Sequence, residues 1–157
     1  MAQDISVDNG FQQPVGVPNT NNEPRVAGVN CNEVEGYVRV PLAAVDTAGG
    51  LFSWANPAPL ELLVTSAILH VTTASTGACT VDMGVAATAT TSSDDLIDGV
   101  SVATTGQFNN VDNKGTNGFS VRDLDAGQFV TGSVASGSAA GIAGYALIRF
   151  VRALPVA

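Results

Sequence analysis

Three carboxylates close together in sequence are the side chains of this chain best placed to do chemistry. Asp94, Asp95 and Asp98 lie in the segment "TTSSDDLIDG" (90–99), which carries no other charge. Carboxylate oxygens are hard ligands that suit Ca²⁺, and oxygens from the next loop could complete the set. Those further candidates are Asn109, Asn110 and Asp112. A calcium site is therefore one hypothesis for this segment.

The spacing favours a solvated turn over a metal site. The D-x-D-x-D-G ladder of a calcium loop is absent, because Leu96 and Ile97 separate the acidic residues. Ser93 or Asp94 can cap a short helical turn "DDLI", whose N-terminus favours carboxylates, and Gly99 can end it. Two carboxylates acting as acid and base would also need a cleft. We therefore predict a structural turn, with no metal and no catalytic pair.

The other residue types used in catalysis are few and scattered. His70 is the single histidine; it lies among apolar residues, and no GxSxG motif supplies a nucleophile for a Ser-His-Asp arrangement. The segment "DNKGTNG" (112–118) fails as a phosphate loop because its lysine precedes the glycine. The dispersion of His70, Cys31 and Cys79 gives no zinc spacing. We expect no enzymatic activity, no cofactor, a structural histidine and two buried free thiols.

Trp54 is a second candidate site. It lies in "GGLFSWANPAP" (49–59), between glycine-rich and proline-rich turns. A tryptophan in this position can stack on a sugar ring or close the end of a β-sandwich core. The second role is the commoner one, so we expect Trp54 to belong to the core and "WANPAP" to form a turn.

Charge and composition narrow the possible partners. The 157 residues include 14 acidic and 6 basic side chains, giving a formal net charge of -8, with 13% charged and 45% hydrophobic residues. We expect no nucleic acid partner, because phosphate binding needs clustered lysine and arginine. We also expect no membrane insertion, because no apolar run reaches the roughly 18 residues of a span and the N-terminus is unlike a signal peptide. A weakly charged surface suits contact with other protein.

The chain divides into an arm and a domain. Residues 1–36 are rich in proline and asparagine and have no sustained period, which predicts an extended N-terminal arm. Residues 37–157 consist of short β-branched runs separated by turn residues, which favours a β-sandwich. The segment "LELLVTSAILHVTT" (60–73) is apolar on both faces and is expected to be a central strand or one covered by a neighbouring subunit. One predicted face has Leu63, Ala67, Leu69 and Val71; the other has Leu62, Val64 and Ile68.

Alternation predicts the remaining strands. Residues 37–45 are expected to form a strand, and Pro41 indicates that it lies at a sheet edge or begins anew after a bulge. Residues 78–85 and 141–154 alternate cleanly. Shorter strands are expected near 118–122 and 128–134, and loops at 103–118 and 134–141. In the last strand the predicted inward residues are Ile142, Ala146, Ile148 and Phe150. Seven or eight strands predict an all-β fold, a jelly-roll-like antiparallel β-sandwich with an extended N-terminal arm.

Two segments carry a resemblance to a known family. "TTASTGACTVDMGVAATATTSSDDLIDG" and "DNKGTNG" resemble small proteins of tailed bacteriophages and prophages encoded in the head module beside the major capsid protein. The resemblance spans roughly residues 50–151. It implies a virion structural protein of the capsid decoration (cement) type, without enzymatic activity. Asp95 departs from the family, which often has asparagine there, so no binding residue is carried over.

The residues and the resemblance together lead to one expectation and one alternative. We expect a decoration protein, made in the host cytoplasm and located on the capsid surface of the virion. Its partners would be the major capsid protein and copies of itself, in a homo-oligomer for which a trimer is favoured. The arm and the loops near 50–58 and 103–118 would make the contacts. The alternative is a receptor- or glycan-binding head of a virion fibre, with Trp54 and the acidic segment in its site.

Overall fold

The structure, a computed structural model, describes residues 35–153 and two short strands near the N-terminus. The chain falls into two units, residues 1–34 and 35–157. In the first unit, β1 (Val7–Asp8) pairs antiparallel with β2 (Phe11–Gln12). The sequence between them is Asn-Gly, the pair most favoured in two-residue hairpin connections. The rest of the predicted arm up to residue 34, including Cys31, lies outside the described residues.

Two antiparallel sheets make up the described part of the second unit. Its strands are β3 (Glu35–Pro41), β4 (Phe52–Ala55), β5 (Leu62–Thr73), β6 (Cys79–Ala86), β7 (Ile97–Ser101), β8 (Gly106–Asn109), β9 (Arg122–Leu124), β10 (Phe129–Gly137) and β11 (Ala143–Arg152). One sheet has the order β3-β11-β5-β8, with β9 also paired to β5, and the other has the order β4-β10-β6-β7. Each sheet pairs strands that are distant in sequence, as in the two Greek keys of a jelly roll. The predicted jelly-roll-like sandwich is confirmed.

The core lies between the two sheets. The side chains of Ala146, Ile148 and Phe150 on β11 are buried, as the alternation predicts, and so are Val81 and Met83 on β6. Each fully buried aliphatic side chain stabilises the fold by about 1.5 to 3 kcal/mol relative to an exposed one. Cys79 is buried with a free thiol, and burial raises the pKa of that thiol.

A register shift in β5 changes the faces predicted for residues 60–73. The strand is central, as predicted, with β11 on one side and both β8 and β9 on the other. Its pairing with β11 skips Thr65, which acts as an extra residue. Leu62 and Val64 therefore turn into the core, whereas Leu63 joins Ile68 on the outer face. The predicted face assignment is wrong before Thr65 and correct after it.

Several strands form where the sequence predicted turns or loops. The expected helical turn at 94–97 does not form: Ile97, its last residue, begins β7, in which Ile97 and Val100 bury their side chains beside β6. β8 lies inside the predicted loop at 103–118, and β10 extends into the one at 134–141. Trp54 lies in β4 and not in a turn. β3 is an edge strand, the first of the two alternatives predicted for Pro41, but it ends at Pro41, so residues 42–45 of the predicted strand lie outside it.

Candidate functional site

The acidic loop, residues 94–98, packs against the asparagine loop, residues 109–121, and Asp95 makes the closest contacts. Asp95 Oδ1 accepts a hydrogen bond of 2.7 Å from the backbone N–H of Val85. Arg122 Nε donates to Asp95 Oδ2 at 2.6 Å, and the aspartate side chain is only 14% exposed. Gly84 makes this approach possible, because a Cβ there would lie 2.6 Å from Asp95 Oδ1. Asp95 therefore ties the acidic loop to β6 and β9.

The other two carboxylates bind the asparagine loop. Asp98 Oδ2 accepts backbone N–H bonds from Thr116 at 3.0 Å and Asn117 at 3.2 Å. Asp94 Oδ2 accepts a bond of 2.8 Å from Asn117 Nδ2. Gly115, with φ of 57°, lies directly against Asp98, where a side chain would collide. The carboxylates thus hold the tip of the asparagine loop.

This arrangement is a structural clamp in place of the helical turn that we predicted. Asp98 and Gly99 lie opposite Asp82 in a bulge of β7, and the N–H of Gly99 donates to Asp82 Oδ1 at 2.8 Å. Gly99 has φ of 68°, a conformation that glycine adopts without strain. In the part of the chain that the structure describes, no group of three or more His, Cys, Asp or Glu side chains is placed to hold a metal ion.

Asp82 provides a test of the electrostatics of this clamp. Burial raises the pKa of the Asp82 carboxyl above its ordinary value of 3.8, the N–H of Gly99 lowers it, and the charges of Asp94 and Asp98 raise it further. The folded protein therefore disfavours ionised Asp82. The penalty is fully present above the raised pKa and disappears as pH falls below the ordinary value.

We predict that Asp82→Asn stabilises the protein near neutral pH. Asparagine keeps the acceptor for Gly99 and removes the repelled charge. The gain is at most about 1 kcal/mol, because the side chain is partly exposed and screened. Urea unfolding of both proteins should show the gain shrinking to nothing at a pH below 3.8. An equal gain at both pH values would contradict the electrostatic cause.

The asparagines proposed as further calcium ligands have internal partners instead. Asn110 is buried; its Oδ1 accepts from the N–H of Ala67 at 2.9 Å, and its Nδ2 donates to the carbonyls of Phe119 at 3.2 Å and Ser120 at 2.8 Å. This amide bridges the gap along β5 between β8 and β9. Asn109 and Asp112 bond to each other, Nδ2 to Oδ2, at 2.8 Å.

His70 lies on the outer face of the five-stranded sheet. Its Nδ1 is 2.8 Å from the hydroxyl of Tyr145, whose ring lies 3.8 Å below the guanidinium carbon of Arg39. The imidazole is half-buried. These contacts position the aromatic ring of Tyr145 on the sheet surface.

Trp54 packs against the core, as predicted. Its ring stacks on Phe150, with centroids 5.3 Å apart and an angle of 30° between the planes. The tryptophan is half-buried at the end of β4. Because one face of the indole already has an aromatic partner, the ring is a poorer platform for a sugar than an open tryptophan would be.

A set of exposed apolar side chains was not predicted from the sequence. Val111, Phe119 and Val121 on the asparagine loop are 59%, 54% and 50% exposed, and Tyr37 on β3 is 75% exposed. The guanidinium of Arg122 lies 5.4 Å from the Phe119 ring. The available signal was the presence of large apolar residues in a segment whose asparagine and glycine content predicts a loop.

The described surface thus offers apolar contact area on loops that their own carboxylates and amides hold in place. No helix of the described residues is long and apolar enough to cross a membrane. In comparisons with known proteins, no family model, no curated protein and no solved structure matches the chain.

Proposed function

We propose that the protein is a virion structural protein of a bacteriophage, a decoration protein that binds the outer surface of the major capsid lattice and stabilises the head. The observation that carries the proposal is the exposure of Val111, Phe119 and Val121 on a clamped loop. Apolar groups already held in one conformation lose little entropy on binding. The resemblance of residues 50–151 to head-module proteins supplies the class of partner.

A capsid lattice, which repeats the same binding position many times, suits a protein surface with only a few exposed apolar side chains. A few apolar side chains per subunit give weak binding, but an oligomer that contacts several lattice positions gains affinity through effective concentration. Residues 1–34 would add contact area without enlarging the core. The jelly roll itself would act as a rigid support for both contacts.

Removal of residues 1–34 tests the part assigned to the arm. The shortened protein should keep its β-sheet circular dichroism, because the core lies within residues 35–153. We expect its affinity for assembled phage heads that bind the full chain to fall at least about tenfold, which is roughly 1.4 kcal/mol. Co-sedimentation with such heads measures the change.

Two outcomes of this experiment would count against the proposal in different ways. Undiminished binding of the shortened protein would contradict the role of the arm but not the decoration function. Failure of the full chain to bind any assembled head, or its absence from purified virions, would overturn the decoration function. Phe119→Ser in the full chain is the matched test of the loop contact. Because the Phe119 side chain is exposed, its replacement leaves the core unchanged.

A further inference from the structure

The asparagine loop contains the pair Asn117-Gly118, in which an exposed amide side chain precedes a residue that has no side chain. An asparagine loses ammonia when the backbone nitrogen of the next residue attacks its Cγ atom. Glycine shields that nitrogen least and restricts the backbone least, so the reaction is easiest when glycine follows asparagine. It requires only water and no enzyme.

Packing requires the glycine at position 118. A Cβ atom there would collide with the carbonyl oxygens of Lys114 and Leu96. The backbone N–H of Gly118 donates to the Lys114 carbonyl at 2.8 Å and closes a single helical turn. The fold therefore places a reactive pair at the tip of the loop, and the same hydrogen bond restrains the nitrogen that would attack.

Two carboxylates of the acidic loop hold the asparagine of this pair. Asp98 Oδ2 accepts from the N–H of Asn117 at 3.2 Å, and Asp94 Oδ2 accepts from Asn117 Nδ2 at 2.8 Å. Attack requires the Gly118 nitrogen to lose its proton, and with it the bond to Lys114. The departing Nδ2 atom must also give up its bond to Asp94. Local opening of the clamp must therefore come before the reaction.

We propose that Asn117 is a site of spontaneous deamidation and that opening of the clamp sets its rate in the folded protein. The deprotonated nitrogen of Gly118 forms a bond to Asn117 Cγ, the Cγ–Nδ2 bond breaks, and Nδ2 leaves as ammonia with the displaced proton. Water then opens the resulting cyclic imide. Opening at the Cγ carbonyl gives aspartate, and opening at the backbone carbonyl gives isoaspartate, in which the main chain runs through Cγ.

Neither product rebuilds the clamp. In both, a carboxylate replaces the Nδ2 donor beside the carboxylate of Asp94, and like charges repel. Isoaspartate also adds a carbon atom to the main chain next to Gly118, where the packing leaves no room. The reaction therefore converts a loop that is held into a loop that is mobile, in one direction only. The site exists whether or not this loop binds a capsid.

Peptide mapping measures the reaction at this position. Trypsin cleaves after Lys114 and Arg122, so Asn117 is the single asparagine of the peptide 115–122, and the other Asn-Gly pair of the chain, Asn9-Gly10, falls in a different peptide. The full chain is kept in mildly alkaline buffer, and mass spectrometry follows the aspartate and isoaspartate forms. We expect the folded chain to react at least about tenfold more slowly than the chain unfolded in guanidinium chloride.

Single changes in the clamp separate its protection from the reactivity of the sequence. Asp98→Ala removes the acceptor of two backbone N–H groups and should speed the reaction of the folded chain about tenfold. Asp94→Ala frees the departing amide and should speed it about threefold. Asp112→Ala is the matched control, because its carboxylate bonds Asn109 in the same loop, and it should leave the rate unchanged. In guanidinium chloride all four proteins should react at the same rate.

The proposal is overturned if Asn117 does not react in the unfolded chain, or if it reacts equally fast in the folded one. Unchanged rates in both Asp94→Ala and Asp98→Ala would exclude the carboxylates as its protection. Should Asp98→Ala fail to fold, Asp94→Ala and its Asp112→Ala control decide this point alone.

The variant Asn117→Asp reproduces one product and tests the loosening of the loop. We expect faster amide hydrogen exchange across residues 111–121 than in Asn117→Ala, because alanine only loses the bond to Asp94 whereas aspartate adds repulsion. Exchange no faster than in the unmodified chain would contradict the loosening. Asn117→Gln, which keeps an amide but reacts far more slowly, confirms that the mass change arises at this residue.

Discussion

Asn110→Ala is expected to lower the free energy of unfolding by about 3 kcal/mol, because it leaves buried polar groups without partners. The Asn110 amide accepts from the N–H of Ala67 and donates to the carbonyls of Phe119 and Ser120. Ala67 is fully buried, so water cannot replace the lost acceptor without opening the sheet. The backbone bond from the N–H of Asn110 to the carbonyl of Ala67 survives the substitution.

Urea unfolding followed by circular dichroism measures this loss. Asn117→Ala is the matched control, because it removes the same amide from an exposed position whose side-chain bond goes to Asp94. Its expected cost is below about 1 kcal/mol. If the two variants lost equal stability, the bridging role of Asn110 between β8 and β9 would be wrong.

Asp95→Ala is expected to cost about 2 kcal/mol, the cost of one charged hydrogen bond and an unsatisfied N–H. The substitution removes the acceptor of the Val85 N–H and the partner of Arg122 in a site that is only 14% exposed. Release of Arg122 also frees it from its position near Phe119, so we expect the asparagine loop to become more mobile. Faster amide hydrogen exchange across residues 111–121 would report that change.

Asp94→Ala separates the clamp from a calcium site. The carboxylate of Asp94 bonds the side chain of Asn117 at the surface, so its loss should cost less than about 1 kcal/mol. A calcium site in this segment would use Asp94 together with Asp95 and Asp98, and calcium would then raise the melting temperature of the unmodified protein. We expect no shift on adding calcium or a chelator. A shift that Asp94→Ala abolishes would replace the clamp with a metal site.

The clamp explains how a chain with few charged residues can present a defined surface. Loops rich in glycine and asparagine lose much conformational entropy on ordering. Here the carboxylates of Asp94, Asp95 and Asp98 accept bonds from the neighbouring segments and hold the loop in the free protein. In the proposed function, binding through Val111 or Phe119 would therefore need less further ordering.

The alternation of residues predicted much of the sandwich. Ile148 and Phe150 face the core from β11, and Val81 and Met83 face it from β6. Pro41 ends an edge strand. These features depend on side-chain period and on the missing N–H of proline, both of which are local. The resemblance predicted a function, which stays a prediction until capsid binding is measured.

The sequence-based predictions are wrong where contacts with another strand decide the local conformation. In sequence, residues 94–99 resemble a capped turn. In the structure, Ile97 and Val100 pack beside β6 as part of β7, because short apolar segments take the conformation that buries them. Asn110 resembled a loop ligand, and only its position between β8 and β9 makes it a bridge. Sequence spacing contains neither fact.

By itself, the sequence of this protein determined the fold class, the central position of residues 60–73 and the negative charge of the chain. The tertiary structure alone decided which side chains of β5 face outward, because the extra residue Thr65 reverses an alternation with a period of two. It also decided that Asp94 and Asp98 hold the asparagine loop, whereas Asp95 ties the acidic loop to β6 and β9. Their partners lie 18 to 27 positions away, or on the neighbouring strand β6, and only the packing of the two sheets brings them within hydrogen-bond distance.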